Sequence, residues 1–282
     1  MPITLLTQSV PDAPQRGDLH TSASVHTRVP PLVIAHRGAS ARFPENTMPA
    51  FSAGVEQGAD MIEIDLHMSR DGELIVIHDD TLERTTDART RFPGREDYRI
   101  ASFTSEEIAV LDAGGWKCPS FAGTAVPHLA EVLALVHSTR TGLLLEVKHP
   151  HQYPGIAEAI VREFESAPGY LERALAAGLL VVQSADWGFI RDLHVLAPEI
   201  PVGLLGRPGL DELRGFAGWV DQINPERREA DALFLHAVHE LGMSSLVWTV
   251  DEAADMERAI DLGADGIITN VPDRLVGMIA DF

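Results

Sequence analysis

The chain has 282 residues, 45% of them hydrophobic and 23% charged, which is ordinary for a globular protein and enough to bury one large core. A formal net charge of −20 excludes the basic face that nucleic-acid binding needs. No apolar run approaches the roughly 20 residues of a membrane helix, and Cys118, the single cysteine, allows neither an internal disulfide nor a Cys-rich zinc site.

Residues 1–30 are rich in Ser, Thr, Pro and His and lack the basic-then-apolar order of a signal peptide. They are expected to form a flexible N-terminal arm, with residues 31–282 as one domain in a cytoplasmic protein. Apolar, β-rich runs then recur at 32–35, 61–66, 142–147, 179–183, 201–205, 219–223, 245–250 and 266–269. Helical spacing falls between them. Met48, Phe51 and Val55 share one face and stop at Gly58; Leu129, Val132, Leu133 and Val136 repeat the pattern. Ile156, Ile160 and Phe164 continue it, Met256, Ala259 and Ile260 end at Gly263, and 272–282 reads as a closing helix. Eight strands alternating with helices predict an α/β fold, a (β/α)8 TIM barrel. A doubly wound open sheet is disfavoured, because no Gly-x-Gly-x-x-Gly or Walker-type loop occurs.

One hairpin interrupts the alternation. Asp71-Gly72 is a two-residue turn signal, and a two-residue loop pairs Arg70 with Glu73 and sets His78 opposite Asp65. Glu63 and Asp65 share a strand face by period two, so this register gathers Glu63, Asp65 and His78 on one side. The stretch after it, about 79–125, has few strand signals and one capping box, Thr104 with Glu107; it is expected to be a small insertion after the second barrel strand, over the barrel mouth.

In this architecture chemistry sits at the C-terminal ends of the strands. Polar groups stand at those ends: His36 and Arg37, Glu63 and Asp65, Glu146 and Lys148, then Gln183, Asn224, Trp248 and Asn270. Glu63, Asp65 and Glu146 repel one another unless a cation lies between them, and three oxygen donors with room for water suit Mg2+ or Ca2+ better than zinc. His36 and His78 end apolar strands beside these carboxylates and are the candidate acid and base, whereas His20, His26, His137, His194, His236 and His239 fall in the arm or on helices. Arg37 is a natural phosphate fork and Lys148 a second cation; each also suits an ion pair with the nearby carboxylates. Trp248 suits a pocket wall. Glu45-Asn46-Thr47 reads as a structural turn in which Thr47 caps the following helix. The set is the kit that phosphodiester hydrolysis requires.

Together the segments Ala35-His36-Arg37-Gly38, Pro44-Glu45-Asn46-Thr47, Glu63-Ile64-Asp65, Arg70-Asp71-Gly72, His78-Asp79 with Leu82 to Thr86, Leu145-Glu146-Val147-Lys148, Val247-Trp248-Thr249-Val250 and Thr269-Asn270 resemble the glycerophosphodiester phosphodiesterase family. The resemblance runs in order from about residue 32 to 280. It implies a TIM barrel that cleaves glycerophosphodiesters into sn-glycerol 3-phosphate and an alcohol. It implies His36 and His78 as acid and base, Glu63, Asp65 and Glu146 as ligands of a divalent cation (Ca2+ or Mg2+), Arg37 and Lys148 on phosphate, and Trp248 beside glycerol. Water and the substrate's own glycerol hydroxyl both fit as nucleophile, and either histidine fits either role. Two positions depart from the family pattern: Ala185 where Phe is usual after Ser184, and Asp251 where Asn is common. Neither is expected to touch the acid/base or metal set. A lysophospholipase D of the same outline is the alternative, and needs an apolar groove for which Phe92, Trp116 and Phe121 are the main candidates. A barrel that only binds sugar phosphates ranks below both, because all five acid/base and metal candidates are present.

Overall fold

The computed structural model describes residues 29–280. The expected N-terminal arm (1–30) falls almost wholly outside the described residues, as do the last two residues of the expected closing helix. Nine strands form one sheet: β1 Leu32–His36, β2 Met61–Met68, β3 Leu74–Val76, β4 Gly142–Val147, β5 Leu180–Ser184, β6 Val202–Leu205, β7 Gln222–Asn224, β8 Leu246–Val247 and β9 Gly266–Thr269. Eight run parallel in the order β7-β6-β5-β4-β2-β1-β9-β8, and β3 is an antiparallel flap on β2. Short ties bring the path round to a nearly closed barrel: Ile223 N–H donates to Ser244 O at 3.0 Å, and Trp248 Nε1 to Asn224 O at 2.8 Å. The sixth and seventh parallel strands, β7 and β8, are shorter than the apolar runs at 219–223 and 245–250, because side-chain bonds replace part of the ladder at this seam.

Alternation along each strand separates two cores. Val33, Ala35, Ile62, Ile64, Leu66, Leu143, Leu145 and Val147 face the surrounding helices in one continuous cluster. Ile34, Met61, Leu144, Val181, Leu246 and Ile268 fill the barrel interior. Gly142 and Gly266 leave room for them: a Cβ at Gly266 would lie 2.6 Å from Leu246 Cδ2 and 2.7 Å from Ile34 Cδ1. Above this plug the same inward positions become His36, Glu63, Asp65, Glu146 and Gln183. A strand therefore begins apolar and ends polar on a single face.

The hairpin register differs from the expectation by one residue. Ser69 N–H donates to Glu73 O at 2.9 Å and Gly72 N–H to Ser69 O at 3.1 Å, so the loop is Arg70-Asp71-Gly72, three residues with Gly72 at φ +91°. That glycine occupies the left-handed position of a bulged turn. Ile77, and not His78, lies opposite Asp65. His78 still arrives at the barrel mouth because it follows the end of β3 and is free of strand alternation. Residues 79–125 contain only short helices, among them Ser105–Ala109, whose Thr104–Glu107 capping box is present. They fold on a cluster of their own that includes Leu82, Tyr98, Ile100, Phe103, Ile108 and Leu111. Thr47 stands at the N-cap position of helix Met48–Glu56 but makes no side-chain cap; its hydroxyl donates to Pro44 O at 2.6 Å instead and ties the preceding loop.

Candidate active site

Parallel register brings the acidic groups together. His36 pairs with Glu63 across β1 and β2, and Asp65 with Glu146 across β2 and β4. Glu63, Asp65 and Glu146 are buried, and each offers a carboxylate oxygen within 4.8 Å of the others. Arg37 takes a left-handed backbone (φ +57°), and its N–H donates to Glu63 at 2.8 Å. Its guanidinium lies 3.1 Å from Asp65 and 2.9 Å from Glu45. Asn46, also left-handed at φ +54°, donates its amide to Asp65 Oδ2 at 2.7 Å. Two non-glycine residues in this region cost on the order of 1–3 kcal/mol each and mark a backbone shaped for the site. Lys148 Nζ lies 2.6 Å from Glu146 and 3.2 Å from Asp65.

Burial and crowding set the charges. Burial pushes the Glu63 carboxyl well above the ordinary range, and the charges of Asp65 and Glu146 add to it. Glu146 is pushed up to about 7 by burial and then by Asp65. Burial also opposes ionisation of Asp65, but Lys148 and Arg37 outweigh it and hold that carboxyl low. Three carboxylates face two fixed cations, and Asp65 Oδ1 has only the Lys148 ammonium beside it, at 3.2 Å, with no hydrogen bond. A divalent cation fits this set: it adds the missing positive charge and favours the ionised forms of Glu63 and Glu146.

The two histidines are oriented from behind. Asn270 N–H and Nδ2 donate to Asp251 at 2.8 and 2.7 Å, which turns Asn270 Oδ1 toward His36 Nδ1 at 2.7 Å. Nδ1 therefore carries the proton, and Nε2 is the basic nitrogen. Burial, then Arg37, lowers the His36 imidazole to about 4. His78 Nδ1 lies 2.7 Å from Asp79, and Arg84 bridges Asp79 and Glu45 with bonds of 2.6 and 2.7 Å. Buried His67 donates from Nε2 to His78 O at 3.0 Å and accepts from Tyr153 OH at 2.8 Å.

Two cavities meet over the triad. The inner one, about 250 Å³, is lined by His36, Arg37, Glu63, His78, Glu146, Lys148, Gln183, Leu205 and Trp248, among others. The outer groove, about 790 Å³, shares His78, Glu146 and Lys148 and continues past Ser184, Ala185 and Trp187. All eight residues singled out from sequence thus line, or bond to groups lining, one connected space. Spacing did not identify Asn46, His67, Asp79 or Arg84 as contributors. Asn46, Asp79 and Arg84 fall within the segments that carry the family resemblance, with no site role given to them there, and His67 lies outside those segments. Asp251, expected not to touch the acid/base or metal set, touches neither histidine and none of the three carboxylates; it reaches His36 only through Asn270.

The fold and the residues at its mouth define a barrel hydrolase that handles phosphate esters. The chain belongs to the Glycerophosphoryl diester phosphodiesterase family, whose profile matches residues 36–274. It is 36% identical over 256 residues to a glycerophosphodiester phosphodiesterase of Caldanaerobacter subterraneus subsp. tengcongensis, covering 88% of this chain and 97% of that one. Among solved structures it is similar to a phosphodiesterase of Oleispira antarctica in complex with the product sn-glycerol-3-phosphate, with a TM-score of 0.78, 25% identity and coverage of 89% and 97% of the two chains. It is likewise similar to a glycerophosphodiester phosphodiesterase of Agrobacterium tumefaciens, with a TM-score of 0.71, 27% identity and coverage of 88% and 99%. The protein is a glycerophosphodiester phosphodiesterase by family and activity class.

Proposed function

We propose that this chain releases sn-glycerol 3-phosphate from glycerophosphodiesters with His36 as the base and His78 as the acid. The observation that carries the assignment is their placement. Both line the inner cavity, but only His78 also lines the outer groove. The glycerol phosphate unit occupies the inner cavity against Trp248, and the leaving alcohol extends into the groove. His36 Nε2, unprotonated above about pH 4, takes the proton of the nucleophile. His78, backed by the Asp79 carboxylate, gives a proton to the departing alkoxide. Arg37 and Lys148 orient the nonbridging phosphate oxygens. Glu63, Asp65 and Glu146 would hold Ca2+ or Mg2+, which supplies positive charge to the phosphate as its charge builds.

The inner cavity, about 250 Å³ with an apolar lining of Leu205, Trp248 and Ile268, suits a glycerol phosphate unit better than a lysophospholipid. Among the described residues no helix is long and apolar enough to cross a membrane. A cytoplasmic setting accords with the lone exposed Cys118. The test is release of glycerol 3-phosphate from glycerophosphocholine, before and after chelation. Turnover that stops with chelator and returns with one ion supports the reading and names the ion. Absence of turnover with either ion, or faster turnover of lysophosphatidylcholine, overturns it.

A further inference from the structure

Gln183, the penultimate residue of β5, sits beside Glu146, is 1% exposed, and lines the inner cavity. Its orientation is set by a chain of bonds that begins at the backbone. Leu246 N–H donates to Asn224 Oδ1 at 2.8 Å, a role only the carbonyl oxygen of that amide can fill. Asn224 Nδ2 is thereby the donor, and it reaches Gln183 Oε1 at 2.9 Å. With its oxygen engaged, Gln183 turns Nε2 away from Asn224, toward the cavity that Gln183 lines. The bond spans two strands, passing over β6. Gly203 sits beneath it, where a Cβ would stand 3.3 Å from Asn224 Nδ2 and 3.4 Å from Gln183 Cβ. Three strands and a glycine thus present one neutral donor to the cavity.

We infer that Gln183 Nε2 donates to a hydroxyl of the glycerol moiety and that Asn224 is the residue that positions it. This rests on the function proposed above. The phosphate already has Arg37 and Lys148 as charged donors; apart from the two histidines and the carboxylates, the remaining cavity wall is Leu205, Trp248, Thr249 and Ile268, of which Thr249 alone carries a polar side chain that is not engaged elsewhere in the wall. A buried donor left without its partner is what makes a site reject an analogue lacking one hydroxyl.

The experiment measures binding to the metal-loaded protein by calorimetry. The probes are sn-glycerol 3-phosphate, 3-hydroxypropyl phosphate (no C2 hydroxyl), 2-hydroxypropyl phosphate (no C1 hydroxyl) and inorganic phosphate. Gln183→Met, similar in length without the donor, is expected to weaken glycerol 3-phosphate about tenfold. It should leave inorganic phosphate and one of the two deoxy probes unchanged. Asn224→Asp offers two acceptors, to Leu246 N–H and to Gln183 Nε2, so it turns the Gln183 oxygen into the cavity and gives the same pattern; if that variant does not fold, Gln183→Met decides alone. Glycerol 3-phosphate affinity unchanged by Gln183→Met, or an equal loss for inorganic phosphate, overturns the inference. Failure of the unmodified protein to bind glycerol 3-phosphate or release it from any glycerophosphodiester instead overturns the proposed function, so the two failures are distinct.

Discussion

Asn270→Leu removes the acceptor behind His36 while keeping the side chain's bulk. The bond at stake is 2.7 Å long, and it decides which ring nitrogen carries the proton. Without it, Nδ1–H is left buried and unpaired, which costs about 1–3 kcal/mol. The ring escapes that cost by moving its proton to Nε2, which then cannot act as a base. A 1–3 kcal/mol bias against the productive tautomer lowers kcat roughly 5–150-fold. Because burial and Arg37 already hold the imidazole near 4, the ring is neutral throughout the assay range, and raising the pH is not expected to restore the loss. Asn270 bonds Asp251, Ser40 and His36 and none of the triad carboxylates, so metal affinity should be unchanged. The assay is kcat and KM on glycerophosphocholine from pH 6 to 9, with metal affinity by calorimetry. An unchanged kcat, or a loss that vanishes at high pH, refutes the tautomer argument.

Four other outcomes are expected. Glu146, raised to about 7, must lose its proton to bind a cation, so metal binding should release protons below that pH and weaken by up to about tenfold per unit, as calorimetry in buffers of different ionisation enthalpy would register. The folded pKa is above the unfolded one, so ionising Glu146 costs stability: the melting temperature of the metal-free protein should fall as pH rises from the ordinary carboxylate range to about 7, and metal should reverse the fall. Arg84→Ala breaks the Asp79–Glu45 bridge; at 44% side-chain exposure it should cost under about 1 kcal/mol in denaturant titration, while kcat drops about tenfold because Asp79 no longer fixes His78. Gly266→Ala forces a methyl against Leu246 and Ile34 in the barrel plug and should destabilise by about 1–3 kcal/mol, measured by chemical unfolding.

Much of this molecule was written locally. The alternation of apolar runs with helical spacing determines the eight-stranded parallel barrel, because strand and helix periods are properties of short segments. The switch from apolar to polar at strand ends located His36, Glu63, Asp65 and Glu146 on one rim, since a strand's facing follows from period two alone. Turn chemistry reached its limit at Arg70-Asp71-Gly72, where Asp71 accepts from Ser69 Oγ at 2.7 Å and from Ser105 N–H at 2.8 Å, so that contacts from the insertion select the three-residue loop. Only tertiary structure decided which groups stand behind the histidines. Asn270 is 234 residues from His36 along the chain, and Arg84 and Glu45 are 39 apart. No short-range pattern encodes such pairs. They exist because closing the barrel brings its first and last strands side by side, and because the insertion lays Arg84 across the loop that carries Glu45.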